Sequence, residues 1–563
     1  MNRSAHPAWI AARERLHSDL EGLHPLRDAS QLAYLRGPVE ALTEADVVDL
    51  WRDAATRQAP GELSPINHVY VHVPFCKSIC SFCNYERLRP SSPKMLHAWL
   101  ERVQASVEAL SPAVRELQFH SLYIGGGTPS TLPPPLLEKL LTSLDTHLNF
   151  VPNSSRHIEF DPAVFSQARI AVLQRHGFSR YSFGIQSLDP AVNDAHNRGM
   201  QDRRIVGRFF DAVDDAERVA CDFLLGLEGT TPESILSDLA WVLEHHKPAA
   251  IDIFALVPTQ AYVRRHFGGD LDAFWAHLNP FQEVVPAALP ALCEAHGYRW
   301  HGEGGHRYTL VRTAAHRHVG SPYSYAQLVS EQSRPLNLLG LGTSARSQLF
   351  RCAAFQYRDP EDDVGADGPA WYEGHRIDPE VEQRTYLIHQ LRDRGMVDAA
   401  LFERIFGVSL EAAAGPALAA WSALGVGEMT DGILTLQKQS NLERARTLLW
   451  LVPEVYLEHE MARIMGFDLS ARATQTAFQD IPVGRALVGP WRYWGVRSGA
   501  VLLKGPDHKV RLRVAPPRER GGKLRLVVET MDPGTPTEHL GRAVGALKRF
   551  ANQSIDVFRA QTH

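Results

Sequence analysis

The chain has 563 residues, of which 44% are hydrophobic and 22% charged. It is long enough for several packed domains and has the composition of an ordinary soluble protein, able to bury a core without disulfide staples. Six cysteines are too few for a disulfide scaffold, and three of them fall between Cys76 and Cys83, which fits a reducing cytosol and a metal or redox site. The N-terminus has no apolar run of signal-peptide length and no later window approaches a membrane span, so a cytoplasmic protein without a membrane partner is expected. The net charge of −5 says little about partners, and the basic excess after Lys504 is too modest and local to argue for nucleic acid.

In chain order, "HVYVHVPF" (68–75) reads as a buried strand, "KMLHAWLERVQASVEAL" (94–110) as a helix, and "LQFHSLYIGGG" (117–127) as a strand ending in glycines. A helix with prolines at its entry follows over 133–148. The alternation continues through strands at 156–160, 180–187, 218–227 and 249–257, each separated from the next by a helical segment. Six strand-helix steps of these lengths predict a parallel sheet covered by helices, with chemistry at the C-terminal ends of the strands.

Behind the first of these strands lies "CKSICSFC", which places Cys76, Cys80 and Cys83 in one short loop. A structural zinc site needs four ligands, and His72 is the nearest candidate for the fourth. An iron-sulfur cluster with one open iron needs only three thiolates, which leaves a place for a small molecule to chelate. "LYIGGGTPSTL" (122–132) ends a strand in glycines that permit positive φ and close backbone approach to a ligand, although a lone GGG run is more often a tight turn. Glu159 and Gln186 end the next two strands, where they could bind hydroxyl or amino groups or merely cap the following turns. Arg198 in "HNRGM" offers a fork for a carboxylate. Asp222, in "CDFLLGL", is a lone carboxylate amid apolar residues, costly unless partnered. Cys221, Cys293 and Cys352 fit no ligand spacing and read as ordinary buried thiols.

Taken in order, "YVHVPFCKSICSFCNY", "YIGGGTPS", "IEFDP", "SFGIQS", "NRGM", "CDFLLGLEGTT", "IDIFALVP" and "LLGLGTSARS" resemble the oxygen-independent coproporphyrinogen III oxidase branch of the radical S-adenosylmethionine (SAM) superfamily. The resemblance covers about 69–436. It implies an α/β fold with a partial (β/α)6 barrel over 67–360 after a helical extension (1–66), then a small helical, winged-helix-like domain (370–450). It further implies a 4Fe-4S cluster on Cys76, Cys80 and Cys83, and a SAM site lined by Tyr70, Gly126, Gly127, Thr128, Glu159, Gln186, Arg198 and Asp222. A second SAM would touch the backbone near Ala255 and between Gly340 and Gly342. An electron donor such as flavodoxin or ferredoxin is the implied protein partner.

Within that branch the chain departs from authentic oxidases, which carry a further cysteine just after the third ligand, where "CNYER" stands here, and a tyrosine-rich N-terminal segment absent here. The closest resemblance in character is to the class C methylases and cyclopropanases of natural-product and antibiotic biosynthesis. That resemblance implies transfer of a methyl or methylene carbon from a second SAM to a small planar heteroaromatic substrate, with a general base drawn from Glu303, His301 or Tyr323. The alternative is an enzyme resembling the coproporphyrinogen oxidases, a heme-opening enzyme, or a heme-binding chaperone. Residues 455–563 lie outside the resemblance and read as an additional α+β domain, in which Trp491, Tyr493 and Trp494 form either its core or a stacking surface for substrate.

Overall fold

The computed structural model describes residues 40–56, 65–303 apart from 84, 165, 200 and 214, then 307–313, 335–359, 371–437, 444, 447–451 and the strands between 486 and 530. In chain order the main strands are β1 (Glu40–Leu42), β2 (Ile66–Val73), β3 (Phe119–Gly126), β4 (Phe150–Phe160), β5 (Arg180–Gln186), β6 (Val219–Leu225) and β7 (Ala250–Ala255). They continue as β8 (Tyr298–Glu303), β9 (Arg307–Arg312), β10 (Leu336–Leu341), β11 (Arg346–Leu349), β12 (Ala353–Arg358) and β13 (Trp371–Arg376). All thirteen share one sheet, in the order β1-β13-β12-β11-β10-β2-β3-β4-β5-β6-β7-β9-β8.

From β10 across to β7 every neighbouring pair is parallel. Apart from the first half of β4, these strands are largely buried on both faces, and they read as apolar-rich runs: Val69, Val71 and Val73 in β2, or Phe183 and Ile185 in β5. The covering helices bury one stripe each. In helix Pro134–His147 it is Leu136, Leu137, Leu140, Leu141 and Leu144, the spacing of a single helical face. Truncating a fully buried leucine such as Leu140 to alanine costs about 2–5 kcal/mol. Helix Pro232–His245 opens with a reciprocal capping box between Thr231 and Ser234.

The six strand-helix steps lie where the periodicity places them, but β4 starts at Phe150 rather than at 156. Its first half is the polar "PNSS", which carries no strand pattern, and it joins the sheet because Phe150 pairs with Phe119. β1 and helix Glu44–Thr56 come from the stretch read as an N-terminal extension. β1 pairs with β13 at the sheet edge, and Val47, Leu50 and Trp51 of the helix are buried in the barrel's own core.

Helices Pro379–Asp393, Ala399–Phe406 and Leu410–Ala423 combine with β14 (Met396–Asp398), β15 (Gly427–Thr430) and β16 (Ile433–Leu436) into a small unit with an antiparallel three-stranded sheet. Its core of Phe402, Phe406, Trp421 and Leu434 also takes in Leu336 and Leu338 of β10, which seats the unit against the barrel. Farther on, β17 (Ala486–Val488), β18 (Trp491–Arg497), β19 (Ala500–Lys504), β20 (Lys509–Ala515) and β21 (Arg525–Thr530) form an antiparallel sheet. The aromatic side chains expected of β18 lie outside the described residues. No described helix is long and apolar enough to cross a membrane.

Candidate active site

The three cysteines sit on the loop that leaves the C-terminal end of β2. Two main-chain bonds close the loop's base: Cys76 N–H donates to the Leu88 carbonyl at 2.9 Å and Leu88 N–H to the Pro74 carbonyl at 2.8 Å. The end of β3 is stitched to the same base, with Gly127 N–H donating to Val73 O at 2.8 Å and Thr128 N–H to Phe75 O at 2.7 Å. This is why glycine is needed at 127, where a Cβ would stand 2.8 Å from Phe75 O and 3.0 Å from Cys76 Sγ. Gly126 has φ of +113°, and a Cβ there would meet the His72 ring at 2.8 Å.

All three cysteines are free thiols. Burial pushes Cys76 up to about 11, and it raises Cys83 as well. Ionising these sulfurs together requires a cation among them, as iron would provide. Thr128 Oγ1 donates to Cys76 Sγ at 3.5 Å. His72, the candidate fourth ligand of a zinc site, is committed elsewhere: its Nε2 is 2.9 Å from the Glu86 carbonyl and its Nδ1 2.9 Å from the Tyr70 hydroxyl. The carbonyl only accepts, so Nε2 carries the proton and Tyr70 donates to Nδ1. Burial holds His72 neutral, at about 4. Three cysteines with no fourth ligand at hand among the described residues match an open-iron cluster better than a closed zinc site.

Beside the loop, the strand ends bring together the side chains expected of a SAM site. Glu159 at the end of β4 accepts a 2.5 Å hydrogen bond from the Tyr123 hydroxyl. Burial pushes its carboxyl up to about 7, opposed by the bonds from Tyr123 and the Gly126 N–H and by the Arg198 charge. Arg198 donates from Nη2 to the Gly184 carbonyl at 2.5 Å, and its Nη1 lies 4.0 Å from Cys80 Sγ. Burial works against the Arg198 charge, but Cys80 and Asp161 outweigh it and raise its pKa. A Cβ at Gly184 would fall 2.2 Å from Gln186 Nε2 and 2.8 Å from Arg198 Nη2, so the glycine keeps this corner open.

Two features mark the arrangement as built for a ligand. Gln186 has φ of +66° and its Oε1 is buried with no partner among the described residues, a strained strand end with an unmet acceptor. Asp222 carries a carboxyl raised well above the usual range, first by burial and then by Asp252 and Glu159. Its neighbour Asp252 is paired with Arg307 at 3.0 Å and Thr309 at 2.6 Å. A ligand offering hydroxyl, amino and carboxylate groups would satisfy Gln186, Asp222 and Arg198 in turn. The residues therefore fit a cluster and SAM.

The remaining expected residues lie as follows. Gly340 is explained by packing, since a Cβ would lie 2.3 Å from Arg346 O on β11, and at Gly342 (φ +86°) one would lie 2.7 Å from His72 O. Ala255 is buried at the end of β7. His301 and Glu303 lie on β8, which pairs only with β9 at the far edge of the sheet from β1. Their side chains and Tyr323 lie outside the described residues.

Sequence reasoning missed a polar clamp on the cysteine loop. Ser81, between Cys80 and Cys83, gives its N–H to the His196 carbonyl at 3.0 Å. Its hydroxyl lies 2.9 Å from His196 Nδ1 and 3.0 Å from His266 Nε2. His196 Nε2 faces the Glu228 carbonyl at 2.9 Å, so it is the protonated nitrogen and Nδ1 accepts from Ser81. Ser81 in turn accepts from His266, whose Nδ1 lies 3.5 Å from the Glu228 carboxylate. His196 adjoins the "NR" pair already singled out, but nothing local in the sequence points to His266.

The site thus sets a three-cysteine loop at the mouth of a parallel barrel, beside a buried arginine and the partnerless Gln186 Oε1. Residues 70–242 match the family model described as the radical SAM superfamily, so that segment of the chain is a radical SAM domain. Its curated relatives include the oxygen-independent coproporphyrinogen III oxidase of Pseudomonas aeruginosa, 28% identical over 50% of this chain and 61% of that protein. They also include an anaerobilin synthase of Escherichia coli O157:H7, 28% identical over 43% of this chain and 53% of that one. A heme chaperone of Mycobacterium tuberculosis is 28% identical over 44% and 65%. The chain thus spans between about half and two thirds of the length of these relatives. Among solved structures, the coproporphyrinogen III oxidase of Escherichia coli shares the fold, with a TM-score of 0.57 at 19% identity over 71% of this chain and 92% of that one. These relatives overturn the expected transfer of a methyl or methylene carbon to a heteroaromatic natural product: they are porphyrinogen oxidases, an anaerobilin synthase and heme chaperones. The general-base role expected of Glu303, His301 or Tyr323 was tied to that reaction.

Proposed function

We propose that this chain is a radical SAM enzyme acting on a porphyrin-type tetrapyrrole, with oxidation of a porphyrinogen in the manner of its oxidase relatives as the leading reaction. The observation that carries the reading is the grouping of Cys76, Cys80 and Cys83 with Arg198, Glu159, Gln186 and Asp222 at one barrel mouth, in a chain whose curated relatives handle porphyrinogen or heme. When bound, the cluster would supply the electron that cleaves SAM reductively and so opens radical chemistry on the substrate.

The chain's own residues bind and orient. The Arg198 fork takes the SAM carboxylate, and the glycine backbone at 126 and 127 lets the methionine end lie close to the loop. Glu159 and Asp222 accept from ribose hydroxyls or the amino group, and each gives up its proton as a donor arrives. A second SAM, as the resemblance implied, would sit toward Ala255, and equilibrium dialysis counts the SAM bound per chain.

The test is anaerobic turnover of reconstituted protein with SAM and dithionite, given coproporphyrinogen III or heme. Formation of 5'-deoxyadenosine dependent on coproporphyrinogen, with carbon dioxide released from the tetrapyrrole, supports the oxidase reading. Turnover on heme alone transfers the reading to a heme-modifying enzyme. Stoichiometric heme binding with no SAM cleavage overturns the enzyme in favour of a heme carrier.

A further inference from the structure

Reductive cleavage of SAM consumes one electron, which neither SAM nor the thiolates supply, so the cluster site must be reachable by an external donor. We propose that the outer flank of the cysteine loop is the docking face for an acidic one-electron carrier protein. The proposal rests on the three-cysteine cluster reading.

A cavity of 540 Å³ opens on that flank, lined by Lys77 of the loop, Arg89, Arg198, Arg204 and Arg208, with Asp161 as the acid among them. Lys77, Arg89, Arg204 and Arg208 are exposed. Lys77 and Arg89 make no ion pair among the described residues, and Arg204 reaches only the part-exposed Asp202, at 4.0 Å. Arg204 and Arg208 stand four apart on helix Arg203–Val213, whose other face buries Val206, Phe209, Phe210 and Val213. Like charges at that spacing destabilise a helix, and here they face two further cations across the opening. Cations outnumber the one acid in this lining, and an acidic partner would gain attraction and a faster encounter there.

Position ties this face to electron delivery. Arg198 lines the cavity while its Nη1 lies 4.0 Å from Cys80 Sγ, so one side chain forms the wall between the docking face and a cluster ligand. A carrier seated there passes one electron inward and is itself oxidised by one, with no atom transferred. Nucleic acid also takes basic surface, but it is bound along extended stripes, and these cations crowd one opening.

The experiment uses the full reconstituted protein and an acidic flavodoxin as the probe, with Arg204→Glu/Arg208→Glu and the charge-keeping Arg204→Lys/Arg208→Lys. Flavodoxin should bind, with affinity falling about ten-fold between about 20 and about 200 mM salt. The double reversal should slow cluster reduction by reduced flavodoxin about ten-fold at low salt, the lysine pair should retain it, and both should cleave SAM normally with dithionite. Absent flavodoxin binding, unslowed reduction in the reversal variant, or tighter binding of an oligonucleotide than of flavodoxin would each overturn the docking proposal. A wild-type protein that takes up no cluster would instead sink the reading beneath it.

Discussion

Glu159→Gln separates the demands of the site from those of the fold. In the ligand-free protein the Glu159 carboxyl titrates at about 7 against an ordinary 4.5 because burial penalises its charge more than Tyr123, Gly126 and Arg198 favour it. A carboxyl with a raised folded-state pKa contributes stability below the unfolded value, and that contribution is lost as pH climbs through the folded value. The full shift is worth on the order of 3 kcal/mol, of which about 2 kcal/mol disappears between about pH 5.5 and 8.5. Glutamine keeps the shape and cannot ionise, so it removes this slope. Urea unfolding of apo wild type and variant at both pH values should show the variant gaining about 2 kcal/mol on the wild type as pH rises, while its SAM affinity falls. Parallel pH profiles for the two proteins would refute the claim that burial of an unneutralised carboxyl dominates at Glu159.

Arg198→Ala should leave iron content intact and weaken SAM by about 1.5–3 kcal/mol, the worth of a hydrogen bond to a charged group, as calorimetry would show. Ser81→Ala leaves two imidazole nitrogens without the hydroxyl they share. A chelator should then strip iron from the reconstituted protein faster than from wild type, with Ser81→Thr restoring resistance, and equal stripping rates would remove the clamp from the account. Gly127→Val should block cluster uptake, because its side chain would invade Cys76 Sγ and the Phe75 carbonyl. Normal iron content in that variant would show that the β3 end does not press on the cysteine loop.

The barrel was legible because parallel strands buried on both faces leave continuous apolar runs between amphipathic helices. The edge strands β11 to β13 and the start of β4 were not: the edge strands are only four to six residues long, and the start of β4 is polar. At the site, Cys76, Cys80 and Cys83 were readable from local spacing, and Glu159, Gln186 and Asp222 from their places at strand ends. What stayed hidden depends on contacts far apart in the chain: Ser81 with His266 across 185 residues, and Asp252 with Arg307 across 55. Gly340 and Gly342 illustrate why the rest is hard to read: a glycine that permits two backbones to touch looks in sequence like one that admits a ligand. The substrate class was misread for a related reason. The barrel-mouth motifs that carry the resemblance are those expected to hold a cluster and SAM, and none of them specifies a substrate.

The most direct test of the central claim is the low-temperature electron paramagnetic resonance spectrum of the reduced, reconstituted protein with and without SAM, beside the Cys76→Ala/Cys80→Ala/Cys83→Ala variant. Three thiolates and one open iron predict a cluster signal that shifts when SAM binds and is missing from the variant. A signal indifferent to SAM, or one that survives loss of the three cysteines, would contradict the account.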